Sequence, residues 1–218
     1  MNQKNIHPTI SILRQAVKQW PTPVVGVVAN DSKDPFRILI ACLLSLRTLD
    51  KTTAQASQRL FSLADRLEQM SRLPVCVIER AIYPVGFYRT KARTIKFLCH
   101  ELINRFKGKV PDDLDALLTF KGVGRKTANL VMTLGFSKPG ICVDTHVHRI
   151  CNRWGYVKTR TPDETEMVLR DKLPLQYWNI LNDLLVPYGQ NLCKPISPFC
   201  SRCKISVYCD RVDVKKSR

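Results

Sequence analysis

Apolar side chains recur along this chain at the spacing of a helix and almost nowhere at the spacing of a strand, which narrows the possible architectures sharply. Phe36, Leu39, Ile40, Leu43 and Leu44 fall at i, i+3, i+4, i+7 and i+8, one face at 3.6 residues per turn. Asp34-Pro35 precedes them, an N-cap followed by a proline in the first turn, where a missing N–H costs nothing. A second helix is expected after Pro111. Asp112 and Asp113 suit its positive N-terminus, Leu114, Leu117 and Leu118 supply its apolar face, and it should stop near the Gly122-Val123-Gly124 turn. Arg125 to about Gly135 resumes helical character through Ala128, Val131 and Leu134, and Thr161-Pro162 opens another helix ahead of Met167 and Val168. The best strand candidate, Val24-Val25-Gly26-Val27-Val28, is short and interrupted by glycine. The expected class is all-α.

Charge then narrows the partners. The 218 residues are 44% hydrophobic, enough to bury a core in one or two domains, and Lys+Arg 35 against Asp+Glu 18 leaves a formal +17. A polyanion is the first partner to consider, nucleic acid ahead of an anionic membrane surface. Between residues 89 and 109, Arg89, Lys91, Arg93, Lys96, Arg105, Lys107 and Lys109 stand against the single acid Glu101, a pattern that gives strongly salt-dependent binding if most of them face a duplex. No apolar run approaches the roughly 20 residues that a membrane helix needs, and the opening residues lack the apolar core of a signal peptide. The reading is a cytoplasmic protein with no membrane partner.

The nine cysteines are an odd number in a chain large enough to do without cross-links, which argues against a secreted disulfide framework. Four of them, Cys193, Cys200, Cys203 and Cys209, form a C-x6-C-x2-C-x5-C run where Gly189, Pro195 and Pro198 displace the helical pattern. Four thiolates so spaced can surround one metal centre, and the spacing admits either tetrahedral zinc or an iron–sulfur cluster. Cys42, Cys76, Cys99, Cys142 and Cys151 lack ligand spacing and are expected to be ordinary buried residues.

Two further segments carry polar chemistry. Lys121-Gly122-Val123-Gly124-Arg125-Lys126-Thr127-Ala128-Asn129 joins two expected helices. Its glycines permit a tight turn, and the helix N-terminus after them presents N–H groups to an anion; a plain helix–turn–helix connection is the alternative. Eighteen residues after Lys126, Val143-Asp144-Thr145-His146-Val147-His148-Arg149 places an aspartate and two histidines in a polar interruption. By itself Asp144 reads as a helix cap ahead of a catalytic group.

The hairpin, the segment from Val143 to Arg153 and the cysteine run occur together and in this order, and together they resemble the endonuclease III family of DNA glycosylases in the helix–hairpin–helix superfamily. The likeness extends more loosely to Leu39–Ser45 and Val85–Ala92, covering about residues 30–210. It implies two packed helical domains with a DNA-binding cleft between them: a six-helix barrel over 28–138 carrying the hairpin, and a cluster domain formed by 1–27 plus 139–218. It implies a [4Fe–4S] cluster on Cys193, Cys200, Cys203 and Cys209. It implies a monomer acting on double-stranded DNA that contains damaged bases or abasic sites, excising oxidised pyrimidines in base excision repair.

The resemblance also assigns roles. Lys126 becomes the nucleophile that attacks C1′ as a neutral amine and leaves a Schiff base, with Arg125 and the helix N-terminus supplying the positive surroundings that favour that form. Asp144 assists by deprotonation or by stabilising positive charge at the sugar. Gly122, Val123 and Gly124 hold phosphate through their backbone, with Arg125 and His146 beside the DNA. Arg47 and Phe87 fill the gap left by the flipped base. Position 47 is a departure, since many members carry glutamine there, so lesion preference and opposite-base dependence are open. Lys126 separates the chain from adenine-mismatch glycosylases, which lack that lysine, and the cysteines separate it from the oxoguanine branch. The competing readings are a hairpin DNA-binding module without catalysis, and a glycosylase for a mismatched or oxidised purine base.

Overall fold

The computed structural model describes residues 1–20 and 24–218. It is helical throughout, with no strand among the described residues, and divides into two compact units, Val24–Gly140 and Met1–Pro23 with Ile141–Arg218. Helix α1 (Ile6–Ala16) belongs to the second of these. The central unit holds α2 (Val24–Ser32), α3 (Pro35–Ser45), α4 (Asp50–Leu63), α5 (Leu67–Arg72), α6 (Val75–Ile82), α7 (Tyr88–Phe106), α8 (Leu114–Leu118) and α9 (Arg125–Leu130). Helix α9 continues into a π-helical turn, Val131–Gly135. The terminal unit resumes with α10 (Thr145–Arg153), α11 (Pro162–Lys172) and α12 (Leu181–Asn191), and its cysteine segment contains two short 3-10 turns, Cys200–Arg202 and Ser206–Tyr208.

Helix α3 organises the central unit. Asp34 caps it through Oδ1, which accepts from the Phe36 N–H at 2.9 Å, and Pro35 occupies the first turn. Ile38, Leu39, Ile40, Ala41 and Leu44 are all fully buried, so the helix is covered on every side rather than on the expected face alone. Helices α2, α4, α7 and α9 supply that cover. Each fully buried leucine or isoleucine contributes roughly 1.5–3 kcal/mol. The valine run expected as a strand candidate lies in α2 instead. Val25, Val28 and Ala29 are buried and Val27 is exposed. A strand would send Val25 and Val28 to opposite faces, whereas a helix turns both inward.

The terminal unit is built on Ile6, Ile10 and Leu13 of α1, Val147, Ile150 and Cys151 of α10, and Leu181, Leu185 and Tyr188 of α12, packed around Trp154. In α11 the expected apolar pair Met167 and Val168 faces solvent. Thr165 and Leu169, one turn apart, face inward instead. The register is set by the Thr165 hydroxyl, which lies 2.7 Å from His148 Nδ1 and 2.6 Å from Thr159 Oγ1, so a buried polar network decides which side of the helix turns in.

Cys42, Cys99, Cys142 and Cys151 are buried as expected, but Cys76 is exposed on α6. The i+3 and i+6 neighbours of Val75, Ile78 and Ala81, fill the core side of that short helix and leave position 76 outward. Asp113 caps α8 through the Ala116 N–H at 2.8 Å, while Asp112 pairs with Lys138 at 2.7 Å. Only one of the two expected first-turn acids therefore serves the helix end.

Candidate active site

The hairpin between α8 and α9 closes through the Val123 N–H, which donates to Phe120 O at 3.1 Å. Val123 and Phe120 are buried, the latter tilted against Phe106 with ring centres 5.2 Å apart. The two glycines have different reasons to be there. Gly122 has φ +85°, and a Cβ on it would stand 3.1 Å from Thr94 Cγ2. Gly124 has φ −96°, and a Cβ there would meet no atom within 4 Å. The fold requires the first glycine and is indifferent to the second.

Lys126 is the second residue of α9 and is half-buried. It lies over α3 close enough to Cys42 for its charge to act on that thiol, whose pKa burial nonetheless pushes up to about 12. Asn129, one turn on, is buried, and its Nδ2 donates to Arg125 O at 3.0 Å. Gly140 backs directly onto it, because a Cβ at 140 would fall 2.9 Å from Asn129 Oδ1.

Asp144 caps α10. Its Oδ1 accepts from His146 N at 2.8 Å and Val147 N at 2.9 Å, which leaves Oδ2 outside the cap. Buried Ile141, Cys142 and Val143 precede it and fix the entry of the chain into the helix. His146, expected beside the DNA, is half-buried, packed on Gly189 of α12 with Nδ1 3.1 Å from Arg149 Nη2. His148 lies within the polar network of Thr165, and burial lowers its pKa. Lys126 and Asp144 belong to different units.

Arg47 and Phe87, from separate loops, are brought together. Both are exposed non-glycine residues with left-handed backbone, φ 52° and 57°. The Arg47 guanidinium carbon lies 5.8 Å from the Phe87 ring centre, within cation–π range. Sequence reasoning missed what holds them there. Lys91 is buried, and its ammonium donates to Leu44 O, Leu46 O and Thr48 Oγ1.

Lys91 is one of two lysines in the expected basic stretch that are turned to internal use. Lys96 binds the carbonyls of Ser71 and Leu73, and Arg105 pairs with Glu101. Solvated cation runs and cations consumed by helix ends look alike in sequence. What separates them is whether a C-terminal helix turn with orphan carbonyls lies within reach.

Cys193, Cys200, Cys203 and Cys209 line one cavity together with Arg153, Trp154, Tyr188 and Phe199, and none is disulfide-bonded. Tyr188 Oη lies 3.0 Å from Cys203 Sγ, and Arg153 Nη1 3.5 Å from Cys193 Sγ. Two arginines one turn apart on α10 tie the segment down. Arg149 Nη2 donates to Cys193 O at 2.9 Å, and Arg153 donates to Lys194 O at 2.6 Å and Pro195 O at 2.5 Å. Their i, i+4 spacing is the only sequence signal for this role. Among the described residues, no three histidine, cysteine or acidic side chains converge closely enough to hold a single metal ion. The four thiols share one cavity without converging on a point.

These arrangements can be compared with known proteins. The sequence model of the HhH-GPD superfamily base excision DNA repair proteins matches residues 40–175, a span that includes the hairpin, Lys126 and Asp144. The chain belongs to this superfamily. It is 41% identical to endonuclease III of Thermotoga maritima over 199 residues, 91% of each chain. With endonuclease III of Bacillus subtilis the identity is 34% over 177 residues, 81% of each chain. Among solved structures, a non-covalent endonuclease III–DNA complex superposes with a TM-score of 0.86 at 32% identity, covering 97% of this chain and 96% of that one. A trapped endonuclease III–DNA covalent intermediate superposes with the same score and identity, covering 97% of both chains. In this HhH-GPD protein no helix among the described residues is long and apolar enough to cross a membrane.

Proposed function

We propose that this chain is a bifunctional DNA glycosylase and abasic-site lyase that excises oxidised pyrimidines from double-stranded DNA. The observation that carries the reading is Lys126, in the first turn of the helix that follows the hairpin, in a chain whose relatives over nearly its whole length include endonucleases III at 41% and 32% identity. The target base must leave the stack, because C1′ is inaccessible within it. The neutral Lys126 amine attacks C1′ and the C1′–N bond breaks, its electron pair departing with the base. The amine's protons pass to the departing base and to O4′ as the C1′–O4′ bond opens, and the Schiff base so formed acidifies the C2′ proton, whose loss expels the 3′ phosphate by β-elimination. Asp144 takes a proton or stabilises positive charge at the sugar through Oδ2 while Oδ1 keeps α10 capped.

Gly122, Val123 and Gly124, with Arg125, hold the DNA backbone on this reading. The open space at Gly124 supports it, since a residue the fold does not need to be glycine is explained by an approaching phosphate. His146, in the first turn of α10, is read as a further DNA contact. The four cysteines hold a [4Fe–4S] cluster, which when bound cross-links a segment that has little core of its own. The protein works as a monomer in the compartment that holds the DNA.

Borohydride trapping tests the reading, on duplexes containing one thymine glycol or one abasic site, with Lys126→Ala as control. A lysine-dependent adduct on both is the expected result. An adduct on the abasic duplex alone reopens the choice of base, and none on either leaves a DNA-binding module without catalysis.

A further inference from the structure

The loop between α3 and α4 is joined to the turn before α7 by polar groups with no reason to be buried unless the loop must be rigid. The Lys91 side chain is only 8% exposed and has no carboxylate partner among the described residues. Its ammonium donates to Leu44 O at 2.9 Å, Leu46 O at 2.5 Å and Thr48 Oγ1 at 3.2 Å, three donors on three acceptors. Leu44 O belongs to the last turn of α3, where a cation also complements the helix dipole. Thr48 Oγ1 in turn accepts from Gly86 N at 3.1 Å and donates to Leu46 O at 3.2 Å, which fills the capacity of a hydroxyl. Gly86 sits directly against the neighbouring carbonyl, since a Cβ on it would lie 2.5 Å from Arg47 O.

From this, and resting on the glycosylase reading above, we infer that Lys91 and Thr48 are positioning residues that hold Arg47 and Phe87 together as one preformed wedge for the gap a flipped base leaves. The wedge consists of two left-handed, exposed residues on two loops. Neither backbone conformation persists without surroundings that over-determine it. Thr48 and Gly86 are the chain neighbours of Arg47 and Phe87, and the clamp passes through both. A wedge ordered before binding loses less conformational freedom when it enters the stack, so more of its contact energy drives extrusion. Burial lowers the Lys91 pKa to about 8, consistent with an ammonium kept in place at some expense.

A double-mutant cycle tests the inference. Lys91→Met keeps the length of the side chain and removes its donors, and Arg47→Ala removes one half of the wedge. Single-turnover excision of thymine glycol from a duplex is measured for both variants and their combination, beside the fluorescence of 2-aminopurine placed opposite the lesion. If Lys91 acts through Arg47, each single change slows excision and the fluorescence rise about tenfold, and the combination is little slower than either. Effects that multiply to about a hundredfold, or a Lys91→Met enzyme as fast as wild type, overturn it. Should Lys91→Met lose its helical circular dichroism, Thr48→Val carries the same cycle, with the same non-additivity expected. Wild-type protein inactive on both thymine glycol and abasic duplexes would instead remove the glycosylase reading, and the wedge with it.

Discussion

The Asp144 carboxylate caps α10 by accepting the Val147 N–H at 2.9 Å, so the residue assigned to the chemistry also holds its own helix end. The two duties separate by substitution. Asparagine is as good an N-cap as aspartate, so Asp144→Asn should change unfolding free energy by less than about 0.5 kcal/mol, while Asp144→Ala should cost about 1 kcal/mol. Asp144→Asn should lower single-turnover excision by about 10²–10⁴-fold with little loss of DNA affinity. Unchanged turnover in Asp144→Asn would reduce the residue to a cap.

The hairpin glycines make an opposite pair. Gly122→Ala forces a side chain into left-handed backbone and against Thr94, and should destabilise by about 1 kcal/mol or more. Gly124→Ala meets open space at an ordinary φ, so its melting temperature should hold or rise slightly, while affinity for an abasic duplex falls. Gly124→Ala binding like wild type would remove the phosphate from that position.

Lys91 gives stability a definite pH dependence. Its pKa is lowered from 10.5 to about 8 by burial, so the folded chain gives up that proton at lower pH than the unfolded chain does. The group opposes folding below about pH 8, and the opposition fades between there and 10.5. The free-energy difference between wild type and Lys91→Met, from urea unfolding at pH 7.5 and pH 10, should therefore shift toward wild type by on the order of 1–2 kcal/mol. A difference that is flat with pH would mean that Lys91 ionises like an exposed lysine.

Arg153 anchors the cysteine segment through Lys194 O and Pro195 O. Hydrogen bonds to a charged group contribute roughly 1.5–3 kcal/mol each at most, so Arg153→Gln should loosen the segment while leaving the helices intact. Protein prepared without oxygen should contain iron and sulfide in equal amounts. The variant should lose both faster in air, at unchanged far-ultraviolet circular dichroism. Stoichiometric zinc without iron would replace the cluster assignment.

The fold class was legible because helical periodicity is a local property. Asp34-Pro35, Asp113 and Thr161-Pro162 mark helix starts by the chemistry of their own side chains, and each caps or opens a helix here. Which side chains turn inward often depended on distant partners. Met167 and Val168 face solvent because the Thr165 network sets the register of α11. The basic stretch after residue 88 is partly internal, because the ends of α3 and α5 come within reach of Lys91 and Lys96.

The candidate site divides along the same line. Hairpin, lysine, capping aspartate and cysteine spacing are contiguous patterns, and the sequence by itself determined them along with the helical class. The pairing of Arg47 with Phe87 across forty residues, the clamp of Lys91 and Thr48 beneath it, and the arginines that tie down the cysteine segment were decided only by tertiary structure. Whether a lysine is a solvated charge or a buried clamp depends on which carbonyls the fold leaves unpaired beside it, and no local pattern of residues carries that information.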